Sequence, residues 1–291
     1  MDTAHLYDDV PGQQKSLLFD FRDRHGYKKI DADGASWRYI SCGKGEKAVA
    51  LLPGGFATAD MWFYLVSSLE DRYRFIVPDS YSLQGTWGLD NVCNAIVAML
   101  NAENTEKATF IGISAGGGVA QYFIQENHGR VAGLALSHCG PIVPHKPVDV
   151  LRFQAMLALI RLLPVSTVRE IMLKRLSGKS PVPSEWAGFE KAYYNELAEN
   201  LDKELLIRFM KDGIDERRHF VYKPDQISSW KGPALILSSK DDSLSFDKVE
   251  LLKARFPRAN VHIFEQGGHH TVTFFPEEYT EIVRKFLDEM K

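Results

Sequence analysis

Residues 108–123 read Ala-Thr-Phe-Ile-Gly-Ile-Ser-Ala-Gly-Gly-Gly-Val-Ala-Gln-Tyr-Phe, and they leave the backbone few options. An apolar run through Phe110 and Ile111 stops at Gly112-Ile113-Ser114-Ala115-Gly116, and helical spacing of Val119, Ala120, Tyr122 and Phe123 begins at once. A strand that turns directly into a helix is crowded on both sides of the corner, so side chains at positions 112 and 116 would collide with it. Such a corner lifts the Ser114 hydroxyl clear of the backbone and aims the next amide N–H into the same space, at a helix N-terminus. A nucleophile facing a carbonyl on which negative charge develops needs that arrangement. A glycine-rich turn with a chance serine would read the same over five residues, so the context decides.

The context is strand and helix in alternation. Lys29–Asp31 and Ser36–Ile40 form a strand pair turned by Asp33-Gly34, after a polar start with one short helix, Lys15–Phe21. Apolar strands follow at Ala48–Leu52, Tyr73–Val77 and Val131–Ser137, and later at Ala234–Leu237 and Val261–Phe264. Between them lie amphipathic patterns at Ala59–Leu69, Asp90–Leu100 and Phe246–Phe256, with a closing helix from Pro276 to Met290. Continuous apolar strands alternating with helices predict an α/β fold, a mostly parallel central sheet flanked by helices.

From about Pro144 to Tyr222 strand patterns are lacking and four helices fit: Val148–Leu163, Thr167–Leu176, Glu185–Leu201 and Lys203–Asp212. The expectation is a core in two parts, 1–143 and 226–291, carrying a helical cap at 144–225. The first cap helix is apolar on more than one side, which fits either one face on the core and another on a pocket, or a plain interhelical core.

Net charge is −3, so nothing draws the chain to nucleic acid or an anionic membrane. Cys42, Cys93 and Cys139 are widely spaced and odd in number, with neither a metal pattern nor a disulfide framework. Residues 1–16 lack a signal-type apolar core, and the most apolar stretch, Met156–Val165, is broken by Arg161 and Pro164. A soluble cytoplasmic protein without a membrane span is expected, acting on a small molecule.

In an open parallel sheet reacting groups gather at the C-terminal ends of strands. After Ala234–Leu237 comes Ser238-Ser-Lys-Asp-Asp242, and after Val261–Phe264 comes Glu265-Gln-Gly-Gly-His269-His270. An acid and a histidine thus follow the serine at the ends of later strands. Residues alone leave Asp241 against Asp242 and His269 against His270 open.

The serine corner and the order Ser, Asp, His resemble the α/β-hydrolase superfamily from about Lys29 to the C-terminus. Pro53-Gly54-Gly55-Phe56 is similar to its oxyanion loop, and the helix Ala59–Leu69 with Trp62, the Val77-Pro-Asp79 strand end and the Gly268-His269 pair also resemble it. The resemblance implies Ser114 as nucleophile, His269 as base, Asp242 as the acid that holds the imidazole, and the N–H groups of Ala115 and Gly55 as oxyanion donors. It implies no metal or organic cofactor and a carboxylesterase-like reaction on a small or medium apolar ester. The same fold also cuts amides, lactones, thioesters or carbon–carbon bonds, or serves as a binding scaffold. Ser239 stands where the family shows a glycine three before the acid, which favours Asp242. The spacing from His269 to Pro276 suits the family. Departures are Pro53 for the loop histidine, Ile113 before the serine, and Asp79-Ser-Tyr-Ser-Leu-Gln-Gly-Thr-Trp87 after the fourth strand. These resemble maspardin-like members.

Other constellations carry less. His138-Cys139 ends a strand near the expected pocket. Gly178-Lys179-Ser180 lacks the first glycine of a phosphate loop, Leu173 standing there. Asp241-Asp242 has no metal-ligand set around it. Trp186, Phe189, Tyr193 and Tyr194 read as core, Arg217-Arg218-His219 as a solvated turn, and His270 as a surface residue or a neighbour of the reacting groups.

Overall fold

A computed structural model describes residues 3–55, 57–80, 88–176 and 185–290, apart from the side chains of residues 175 and 176. Phe56 of the expected oxyanion loop, most of the altered stretch after Asp79, and the Gly178-Lys179-Ser180 motif lie outside the described residues. Eight strands form one sheet in the order β1-β2-β4-β3-β5-β6-β7-β8. They are β1 (Lys28–Ala32), β2 (Ala35–Cys42), β3 (Ala48–Leu52), β4 (Arg74–Pro78), β5 (Ala108–Ile113), β6 (Val131–Ser137), β7 (Ala234–Ser239) and β8 (Asn260–Phe264). The hairpin β1–β2 and the pair β2–β4 are antiparallel, and every other pair is parallel.

Side-chain alternation along each strand splits the core in two. Val49, Leu51, Ile111 and Ile113 enter one apolar cluster, with Trp62, Phe63, Tyr279 and Phe286. Ala48, Ala50, Leu52 and Phe110 enter another on the opposite face, with Ile96, Leu100, Phe123 and Leu252. The first face is covered by α1 (Gly12–Arg24), α2 (Phe63–Leu69) and α12 (Pro276–Glu289). The second is covered by α3 (Leu89–Ala102), α4 (Ala115–Asn127) and, after the helical insertion, α10 (Val249–Arg255).

The strands β6 and β7 are neighbours, yet five helices lie between them in the chain: α5 (Pro147–Leu162), α6 (Val165–Leu176), α7 (Ala187–Glu199), α8 (Lys203–His219) and α9 (Pro224–Ser229). Asp202 caps α8 by accepting from the N–H groups of Glu204 and Leu205. The expected end of α8 at Asp212 is corrected. Gly213 reads as a stop, but it is buried within the helix, and the apolar period Leu206, Met210, Ile214 runs through it into a separate small core. Arg217, Arg218 and His219 therefore form a basic last helical turn that suits the helix C-terminus; Arg218 and His219 are solvated as expected, and Arg217 is half-buried. Helix α5 takes an interhelical face and a cavity face, and its expected face on the sheet core is corrected. It packs through Leu157 on α6 and α8 within the insertion, Phe153 and Met156 line a cavity, and Leu151, Leu159 and Leu162 face solvent. The short helices α9 and α11 (Thr271–Phe274) have no counterpart in the expected elements. Among the described residues no helix is long and apolar enough to cross a membrane.

Candidate active site

The corner between β5 and α4 places Ser114 at φ 53°, ψ −117°, a conformation that side chains rarely adopt. Its glycine neighbours are obligatory. A Cβ on Gly112 would sit 2.4 Å from the Gly116 carbonyl oxygen, and one on Gly116 would sit 2.2 Å from that of Leu52. The loop Gly54-Gly55 passes alongside, with the Cβ direction of Gly54 3.7 Å from Ser114 Cβ and that of Gly55 3.9 Å from Ala115 Cβ. Gly55 and Ala115 both border the large cavity that Ser114 opens into, and among the described residues neither of their N–H groups has an acceptor.

Three side chains from separate strand ends meet here. Ser114 Oγ lies 2.8 Å from His269 Nε2, and His269 Nδ1 lies 2.9 Å from Asp242 Oδ2. Asp242 is buried. Burial would raise its pKa, but the bonds from His269 and Ser245 and the Leu244 N–H (2.8 Å) outweigh this and hold it below the usual carboxylate range. An ionised carboxylate only accepts, so the proton sits on His269 Nδ1 and Nε2 is left to accept from Ser114. Asp241 points elsewhere: it accepts from the N–H groups of Gly267 (3.2 Å) and Gly268 (2.9 Å), shaping the turn that carries His269. Ser239 donates to the Gly268 carbonyl in the same turn.

His138 is fully buried beneath His269, the two rings edge to face at 5.9 Å. Its nitrogens meet Ser137 Oγ at 2.8 Å and Thr271 Oγ1 at 3.2 Å. Burial, aided by the nearby His269, pushes its pKa down to about 3, so it stays uncharged and does not oppose a positive His269. Cys139 is also buried, which pushes its thiol up to about 12 and keeps it protonated.

Two cavities adjoin Ser114. One of about 680 Å³ is mostly apolar and is walled by Leu52, Val119, Ile142, Phe153, Met156 and Phe220, among others. The other, about 110 Å³, lies between Ser114, His269, His270, Tyr194 and Thr273. His270 is thus half-buried against the Tyr194 ring (5.1 Å) beside the reacting groups, not at the surface. The aromatic cluster divides: Trp186 and Phe189 are core, while Tyr193 and Tyr194 also border the small cavity.

Behind that cavity lies Glu190, which no motif or spacing singles out. It is 4% exposed, with Thr273 Oγ1 at 3.4 Å. Burial pushes its pKa up to about 8, despite the Tyr194 and Thr273 hydroxyls. The unfolded chain releases this proton near pH ~4.3, so between there and about pH 8 the folded state holds more protons. Stability therefore falls as pH rises, by at most about 1.4 kcal/mol per pH unit. Glu190→Gln is expected to remove that slope in urea unfolding across this range, and equal slopes in both proteins would contradict it.

His25, Cys42 and Glu70 bring potential metal-ligand atoms within 4.8 Å of one another, none of them at the serine site. Sequence spacing hides this group, because Cys42 stands on β2 and Glu70 follows α2. Glu70 already accepts from Arg24, and burial pushes the Cys42 thiol up to about 12, which keeps that thiol protonated.

Comparison with known proteins agrees with this architecture. The model of the family described as the alpha/beta hydrolase family matches residues 49–282. An uncharacterised protein of Mycobacterium tuberculosis is 23% identical over 286 residues, 92% of this chain and 80% of its own. A 2-hydroxy-6-oxononadienedioate/2-hydroxy-6-oxononatrienedioate hydrolase of Dechloromonas aromatica is 23% identical over 269 residues, covering 86% of this chain and 89% of that one. Among solved structures, a thermophilic esterase from Thermogutta terrifontis superposes with a TM-score of 0.75 at 21% identity, over 91% of this chain and 99% of that one.

Proposed function

The chain belongs to the alpha/beta hydrolase family, and from that membership we propose that it is a serine hydrolase of carboxylic esters acting through an acyl-enzyme. The observation that carries this reading is the unbroken relay from Ser114 Oγ through His269 to Asp242. Ser114 attacks the ester carbonyl while His269 Nε2 takes its proton, and Asp242 stabilises the imidazolium that forms. The N–H groups of Gly55 and Ala115 receive the oxyanion. His269 returns the proton to the departing alcohol, and water repeats the sequence to free the acid. Each step uses these side chains and amides alone.

The two cavities divide the substrate. A leaving oxygen has to reach His269 Nε2, and His269 borders the small cavity but is not among the described residues lining the large one. The alcohol is therefore small, and the apolar acyl group fills the larger space. Residues 144–225 act as a cap in this scheme, closing that space with Phe153, Met156 and Met210.

A panel of esters tests the reading. Methyl esters of lengthening acids should show rising kcat/KM, and lengthening the alcohol at constant acyl group should lower it. The opposite trend would reverse the assignment of the cavities, and folded protein that turns over no ester would overturn the esterase reading. A second reading, cleavage of a carbon–carbon bond beside a ketone, is favoured by the name of the Dechloromonas relative, which acts on a 2-hydroxy-6-oxo compound. Turnover of such a compound without turnover of esters would select it.

A further inference from the structure

The wall of the large cavity is apolar except for a few groups, and their partners differ. Asp79 is bonded to Arg38 and to the Ala59 N–H, and Glu216 Oε2 accepts the Leu89 N–H (2.9 Å) at the start of α3. Burial pushes both carboxyls up, which weakens their charge. Burial and the neighbouring Arg217 push His145 down, toward its uncharged form. Arg217 is the one permanent cation among the described lining residues. Its guanidinium lies 3.5 Å from the centre of the Phe153 ring, and Nη1 donates to the Gly213 carbonyl at 2.7 Å. Asp149 and Glu216 act on it through their charge, but among the described residues no carboxylate comes within ion-pair distance of it, and one of five N–H donors is in use.

A stacked, half-buried guanidinium of this kind is held flat, and Arg217 lines the cavity that Ser114 shares. We propose that Arg217 binds a carboxylate carried by the acyl group, so that the preferred substrates are monoesters of apolar dicarboxylic acids. The planar fork matches a carboxylate in two parallel hydrogen bonds, and the apolar wall strengthens the ion pair by excluding water. Glu216 does not oppose this, because its carboxyl is engaged at α3. The location of the ester group at Ser114 rests on the serine-hydrolase reading, whereas recognition of the anion does not.

The test separates the two. Ser114→Ala protein is titrated calorimetrically with a series of monomethyl dicarboxylates and with the matching neutral dimethyl esters. The anionic ester is expected to bind roughly tenfold or more tightly than its neutral partner. Arg217→Gln in the same background should erase that preference while leaving dimethyl ester binding intact, which also shows that the variant is folded. Arg217→Lys should keep part of it. Equal affinity for the two esters, a preference that survives Arg217→Gln, or binding of neither ester would overturn the proposal. Wild-type protein that prefers the anion yet hydrolyses neither ester would leave the recognition standing and overturn the hydrolase reading instead.

Discussion

Ser114→Ala is expected to lower ester turnover by at least about 10⁴-fold with little change in stability. The relay ends on this oxygen, and among the described residues Ser114 Oγ is the hydroxyl bonded to His269 Nε2. Cys139 cannot substitute, because burial keeps its thiol protonated. Alanine inherits the same strained backbone at φ 53°, so the fold should tolerate the change. Residual activity then reports only binding and the oxyanion donors. A variant retaining more than about one per cent of wild-type kcat/KM would show that another group attacks.

Glu196→Ala is expected to be the most damaging substitution outside the site. Glu196 is 7% exposed and accepts four hydrogen bonds: from Thr3 (2.8 Å), from Tyr7 (2.5 Å), and from Arg22 Nη1 (3.0 Å) and Nη2 (2.9 Å). Arg22 also donates Nε to Asp60 at 2.7 Å, and Tyr193 donates to Asp60 at 3.0 Å. The network thus ties the N-terminal segment and the core loop before α2 to helix α7 of the insertion. Removing the carboxylate strands two hydroxyls and part of a guanidinium, at a cost of about 3–5 kcal/mol. At ~2–4 °C per kcal/mol for a domain of this size or slightly smaller, the thermal midpoint should fall by roughly 6–20 °C. A shift within about 1 °C would mean that water replaces the lost partner.

The two networks were unequally legible in the sequence. Local crowding leaves a local trace: glycines at 112 and 116 are required by backbone oxygens 2.4 Å and 2.2 Å from where a Cβ would stand. The strands β3 and β5 are buried along their whole length; β3 reads as an unbroken apolar run and β5 as a short one at Phe110-Ile111. Adjacent residues at a strand end are harder, because the path of the turn decides which one faces inward. Asp242 turns to His269 and Asp241 to the glycine amides, and composition cannot tell them apart. A lone Gly213 is locally unfavourable in a helix, and the apolar stripe Leu206, Met210, Ile214 carries α8 through it to His219. Arg217 lines the cavity because the helix continues about two turns past Asp212. Ties such as Arg22 to Glu196, 174 positions apart, have no periodicity to betray them.

Mapping a covalent adduct tests the central claim most directly. After reaction with a fluorophosphonate, intact-mass measurement of the folded protein should show a single addition. Peptide sequencing should place it on Ser114, and His269→Ala should suppress it. Adduct on any other residue, or none on protein that remains folded, would contradict the account.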